Sequence, residues 1–222
     1  KRFLDETGSE DAFGRTMRAM GCMIRLAPND GHFQFAKDIF FKSFTHFEGL
    51  RSIRAIANTI IGLCNFLKRF PDNEKARHTL AVLTGRLTRQ YHDESKEEWN
   101  WFEPVLCYDN AILPLALWHV YAVTRNHEVL KIAKDTTDFL DKEAGKNGHI
   151  SLVGNSWYYK GELKPAGGQQ PINAMALVMM YQKAWQVTKN DSYYKKMITS
   201  FLWFTGNNDL CIPLYDEESK GC

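Results

Sequence analysis

The spacing of apolar residues limits the fold of this chain more than any other feature, because they recur three and four apart throughout and almost nowhere alternate strictly. That period belongs to helices. Eight segments follow it: about Glu10 to Ala27, His32 to His46, Leu50 to Phe70, Asn73 to Tyr91, Asn110 to Arg125, Asn126 to Glu143, Pro171 to Thr188 and Asp191 to Thr205. Breakers set several of the boundaries, among them Pro28-Asn29-Asp30-Gly31 and Pro71-Asp72-Asn73. Pro171 sits where a first helical residue belongs. Pro114 either kinks the fifth segment or delays its start.

The third, fifth and seventh segments are apolar on almost every side, whereas the fourth, sixth and eighth carry one apolar stripe and one charged face. The expected fold class is therefore all-α, built from antiparallel helix hairpins in which inner helices alternate with outer ones. Odd-to-even connections are short, as antiparallel neighbours require, and Val123-Thr124-Arg125-Asn126 is echoed by Val187-Thr188-Lys189-Asn190 at the same kind of turn. Two even-to-odd connections are long, about His92 to Asp109 and Ala144 to Gln170. In such a stack they lie at one end, where long loops are usually functional. The second has turn residues at Gly145, Gly148 and Gly154, with room for a short β-hairpin over 145–168 near Val153 and Trp157.

With 222 residues, 44% of them hydrophobic, one sizeable core is expected, so residues 1–222 read as a single domain. The net charge of +2 and the absence of any run of like charges argue against nucleic acid or a membrane surface as partner. Five scattered cysteines without a C-x-x-C pair fit neither a disulfide framework nor a zinc site, and point to a reducing, cytoplasmic setting. No metal or other cofactor is expected. The first residue is Lys1 and the last Cys222, which reads as part of a longer domain. On that reading the first and last helices each expose an apolar face.

The loops carry the chemistry. Between Glu98 and Asn110 four aromatic rings, Trp99, Trp101, Phe102 and Tyr108, accompany the carboxylates Glu98, Glu103 and Asp109. Sugars present flat C–H faces and a rim of hydroxyls, so aromatic platforms beside acceptor groups suit them. Glu103, between Phe102 and Pro104, suits a general acid; Asp109, at a helix start, suits an ionised base. In the competing structural reading Trp101 and Phe102 plug the core and Asp109 caps the fifth helix. Glu10 and Asp11, four or five residues before Arg15, either favour the dipole of the first helix or supply an alternative base. Gly14 between them suggests close approach by another element. Further binding candidates are Asn110, Asn155, Trp157, the amides Gln169, Gln170 and Asn173 around the seventh helix start, and Asn208-Asp209 after the eighth. Glu10, Glu103, Asp109 and Gln170 are expected at one end of the stack. Phosphate-binding glycine loops, H-E-x-x-H and G-x-S-x-G are absent from the sequence, and His119 and the Met175, Met179, Met180 group read as core.

Taken in order, four sets of residues resemble an uncharacterised bacterial family of the six-hairpin glycosidase superfamily, found alone or joined to glycosyltransferase domains. They are Ser9-Glu10-Asp11 with Gly14-Arg15 and Gly21; Trp101-Phe102-Glu103 with Tyr108-Asp109-Asn110-Ala111 and Leu113-Pro114; Gln169-Gln170-Pro171-Ile172; and Gly206 with Asn208-Asp209-Leu210 and Pro213-Leu214-Tyr215-Asp216. The resemblance implies part of an (α/α)6 toroid whose inner helices open onto a sugar-binding funnel. It also implies a carbohydrate-active protein, foremost a glycosidase working through two carboxylates on a sugar or oligosaccharide. The alternative is a non-catalytic glycan-binding or scaffolding toroid that supports a glycosyltransferase domain; a sugar isomerase is a third reading, disfavoured by the scattered histidines. The chain departs from the family pattern at Asn173, where an acidic residue is favoured, and at Arg18, where a tryptophan is.

Overall fold

A computed structural model describes residues 8–146 and 148–221. The fold is all-α. Its helices are α1 (Glu10–Leu26), α2 (Asp30–Ser43), α3 (Ile53–Arg69), α4 (Glu74–Glu94), α5 (Ile112–Thr124), α6 (His127–Ala144), α7 (Pro171–Thr188) and α8 (Asp191–Leu202). Single 3-10 segments continue α2 over Phe44–Gly49 and α8 over Trp203–Thr205. The boundaries have local causes. Ser9, Asn29, Ser52 and Asn190 accept backbone N–H bonds at the starts of α1, α2, α3 and α8, and Asn73 and Asn126 do the same before α4 and α6. Pro114 lies at the third residue of α5, where no intrahelical N–H bond is required, so it neither kinks nor breaks the helix.

Backbone contacts divide the chain into two compact units, Lys1–Arg89 with His119–Val129, and Gln90–Trp118 with Leu130–Cys222. In the first, α3 is buried at every residue from Arg54 to Leu67, and α1 packs along it. Gly14 lies so close to α3 that a Cβ there would sit 2.6 Å from the Ala55 carbonyl oxygen; one at Gly21 would sit 2.6 Å from Gly62 Cα, and one at Gly62 2.5 Å from the Met17 carbonyl oxygen. The close approach suggested by Gly14 is thus α3 itself. Arg18 and Arg25 donate to Asn58 and Asn65 at 3.3 and 3.1 Å, so the polar contacts repeat with the same seven-residue step as the glycines. Around this seam Phe40 stacks on Phe66 at 5.2 Å and Phe44 on Phe47 at 4.9 Å.

In the second unit α7 and α8 pack as a hairpin closed by Lys189, in left-handed conformation, and Asn190. Tyr181 donates to Asp141 at 3.0 Å and Lys196 to the same carboxylate at 2.8 Å, tying α6 to this pair. Four two-residue strands decorate the loops: β1 (Val105–Leu106), β2 (Gly145–Lys146), β3 (His149–Ile150) and β4 (Tyr158–Tyr159). β2 pairs with β3, and β1 with β4, both antiparallel. A hairpin therefore forms in the expected loop but earlier than Val153 and Trp157, because Gly148 at φ +89° supplies its turn. The residues after Trp157 pair with β1 instead.

Of the two apolar faces expected, α8 shows one: Tyr194, Ile198, Phe201 and Leu202 are exposed at helical spacing. α1 does not, since its apolar stripe lies on α3 and Leu26 is its sole exposed large hydrophobic residue.

The glycine seam gives opposite expectations for one kind of substitution. Gly21→Ala or Gly62→Ala forces backbone apart and should lower unfolding stability by about 2–3 kcal/mol. Gly85→Ala, on α4 with nothing within 4 Å of the added Cβ, should raise it by roughly 0.5–1 kcal/mol. Urea denaturation of the three variants checks both signs.

Candidate functional site

The loops that precede α5 and α7 meet in the second unit. α7 begins at Pro171 with Gln170 as its N-cap, and the Gln170 side chain makes no capping bond. Gln170 instead lines a small cleft of about 180 Å³ with Tyr108, Asn155, Trp157, Asn173 and the Cys107 segment. Asn173 fixes the cleft. Its Oδ1 accepts from the Asp109 backbone N–H at 2.6 Å, while its Nδ2 donates to the Val153 carbonyl at 3.3 Å. A carboxylate could make the first bond but not the second, which gives a physical reason for an amide at this position. Two rings are open to solvent here, Trp157 at 47% and Tyr108 at 36%.

The backbone at the cleft is unusual in two places. Asp109 has φ +48° and Trp157 φ +41°, a left-handed conformation that bulky residues adopt only when their surroundings impose it. For Trp157 the imposing element is β4, whose Tyr158 packs edge-on against Trp99 at 5.5 Å. Asp109 is 1% exposed and its carbonyl accepts from Ile112 N–H at 3.2 Å, so it opens α5 through its main chain. Asn110 folds back on Cys107, accepting from its N–H and donating to its carbonyl at 3.1 and 3.3 Å.

Trp101 and Phe102 do not reach the cleft surface. Both have no exposed area; Trp101 stacks on Phe139 at 5.7 Å and Phe102 meets Tyr91 edge-on at 5.6 Å. They are core residues, not platforms for a ligand, because burying these rings removes more apolar area from water than any other use of them. Glu103 beside them is half-buried, and its carbonyl accepts from Trp99 Nε1 at 2.8 Å.

A second, larger cavity of about 820 Å³ borders the same loops. Its central feature is Asp209. The carboxylate receives Lys146 Nζ and His149 Nε2 on one oxygen, both at 2.9 Å, and Ser151 Oγ and Gln169 Nε2 on the other, at 2.6 and 2.5 Å. The Asp209 side chain is 23% exposed. Burial alone would raise its pKa, but the bonds from Ser151, His149, Lys146 and Gln169 outweigh that and hold the carboxyl well below the usual carboxylate range. Gln169 is fixed at its other end, since its Oε1 accepts from Trp203 Nε1 at 3.0 Å. Asn208 is committed to its own loop, donating to the Trp203 and Ile212 carbonyls and accepting from the Leu210 and Ile212 N–H groups. Lys164 donates to the Glu143 and Ser151 carbonyls at 2.6 and 2.5 Å; burial lowers its pKa, against the pull of Glu143 and Asp209.

The structure thus gathers Tyr108, Asn155, Trp157, Gln170 and Asn173 at one cleft, and Gln169, Asn208 and Asp209 at another. Lys146, His149, Ser151 and Lys164 carry no motif in the sequence and emerge through their distant partners. Glu10 and Asp11 belong to the first unit. Glu10 accepts from the Arg51 and Ser52 N–H groups at 2.8 and 2.6 Å at the start of α3, and Asp11 pairs with Arg15 at 2.9 Å. Both are occupied with holding helix starts. Among the described residues no helix is long and apolar enough to cross a membrane, and no three His, Cys, Asp or Glu side chains converge as metal ligands. Compared with known protein families, curated proteins and solved structures, the chain matches none.

A carboxylate whose folded pKa is depressed adds stability above its unfolded pKa, roughly 3.9, and loses it as pH falls through the folded value. Asp209→Asn should therefore lower unfolding stability at pH 7 by about 1 kcal/mol, the value for hydrogen bonds to a charged group reduced by solvent screening. Urea unfolding of both proteins from pH 7 down to pH 3 should show the gap narrowing below about pH 4.

Proposed function

We propose that this protein is carbohydrate-active and that one sugar ring sits in the cleft between the starts of α5 and α7. The observation that carries the reading is the cleft's composition. Trp157 and Tyr108 offer ring faces for sugar C–H groups, and Asn155, Gln170 and Asn173 supply amides that both donate to and accept from hydroxyls. Its volume is about that of one pyranose. The ordered resemblance to six-hairpin glycosidases supports the same reading, since Tyr108-Asp109 and Gln169-Gln170-Pro171 are among its motifs.

Cleavage of a glycoside, with Asp109 and Glu103 as the acidic pair, is favoured over passive binding by one feature. Asp109 is a fully buried acid at a strained backbone position, bonded to the cleft residue Asn173. Strain of that kind persists where the surrounding structure over-determines it, and it concentrates at functional sites. In such chemistry one carboxyl protonates the leaving oxygen and the other acts as base or nucleophile on the anomeric carbon. Attachment to a glycosyltransferase domain and a cytoplasmic setting complete the proposal, the second resting on five cysteines scattered without a C-x-x-C pair.

Titration of the protein with glucose, mannose and their methyl glycosides, followed by NMR, should perturb the cleft. Trp157→Ala should weaken binding about tenfold, roughly 1.4 kcal/mol. Asp109→Asn and Glu103→Gln should each cut turnover of an aryl glycoside by a few orders of magnitude and leave sugar binding in place. Unchanged turnover in both would remove the catalytic assignment, and binding without turnover in the parent chain would leave a glycan-binding module.

A further inference from the structure

The cleft has room for one ring, yet the six residues 164–169 ahead of α7 line a cavity more than four times its volume. Gln169 and Gln170 are neighbours in the chain, with Cα atoms about 3.8 Å apart. Gln170 lines the cleft and Gln169 the cavity. The boundary between them is a backbone seam: Gly154, which lines the cleft, rests directly on Gly167, which lines the cavity, and Asn155 N–H donates to the Gly168 carbonyl at 3.1 Å.

Three properties of the cavity specify its ligand. Its charges cancel, Lys146 and Lys164 standing against Glu143 and Asp209, so a neutral molecule fits better than an ion. Its rim is apolar over Pro165, Ala166, Leu210 and Ile212, with Leu210 and Ile212 exposed although nothing polar holds their side chains there. Its polar groups offer both hydrogen-bond senses. Lys146 has N–H groups beyond the one given to Asp209, and Glu143 is an acceptor that also takes a bond from the Tyr158 hydroxyl. The Asp209 oxygens are already filled by four donors, so this carboxylate shapes the floor without reacting.

We infer that the cavity lined by Lys146, Gln169, Leu210 and Ile212 is a second subsite adjoining the cleft, and that the ligand is a neutral oligosaccharide of at least two or three rings. This rests on the reading of the cleft as a sugar site. The chain of rings crosses the seam at Gln169-Gln170 and lays its apolar faces on the Leu210 and Ile212 rim.

Calorimetric titration with α- and β-linked glucose and mannose series of one to four residues tests it in the intact chain. Affinity should rise at least tenfold from the monosaccharide to the tri- or tetrasaccharide in one series. Ala166→Trp, which fills the cavity from an exposed loop position, should return the tetrasaccharide to the monosaccharide value and leave the monosaccharide unchanged. Ile212→Trp, at another residue that lines the same cavity, should do likewise. Trp157→Ala should weaken every length. Binding at the cleft that is independent of length, or a length gain that survives both plugs, overturns the inference and leaves the sugar site standing; absence of binding by any saccharide overturns both.

Discussion

One carboxylate, that of Asp209, ties together the loops around the larger cavity of this protein. Asp209 draws donors from the β2–β3 hairpin, from Ser151 beyond it and from Gln169 ahead of α7, segments that share no helix. Hydrogen bonds to an ionised acceptor are shorter and about twice as strong as neutral ones, so four of them can fix loops that propensity and packing leave free. The arrangement also removes Asp209 from chemistry. An acid with every lone pair engaged is a strut; Asp109, by contrast, is held by its left-handed backbone and by burial.

That division of labour resolves how a helical scaffold presents an open polar site. Helix ends supply fixed points, because Pro171 sets where α7 begins and the Asp109 carbonyl, accepting from Ile112 N–H, opens α5. Asn173 then bridges from the first turn of α7 to Asp109 and Val153, converting two loop segments into extensions of the helix. Trp157 stays exposed in a left-handed backbone since β4 pairs with β1 on one side of it and the Asn155–Gly168 bond holds the other.

The helices were legible from the sequence because their signals are local: periodicity within each segment, and Ser or Asn at nearly every start. The extension of α4 to Glu94 was less so, as polar residues continue there without a breaker. Loop function was legible only in part. Trp101 and Phe102 carry the same composition signal as Tyr108 and Trp157, and one pair is core while the other is exposed. Nothing within a few residues separates the cases; the outcome depends on Tyr91, on the preceding helix, and on Phe139, well after the loop. Three of the donors to Asp209, namely Lys146, His149 and Ser151, were invisible for the same reason, His149 lying 60 residues before its partner.

The glycine seam between α1 and α3 has a consequence for how variation can accumulate in this protein. Gly14, Gly21 and Gly62 mesh with backbone atoms at seven-residue steps, and Arg18 and Arg25 find Asn58 and Asn65 on the same step. Sliding one helix past the other by a single residue would bring side chains against carbonyls and strand both arginines. The two helices therefore behave as a toothed rack with one engaged position. Insertions or deletions inside either helix are closed to it, and length can change only in the loops beyond the rack.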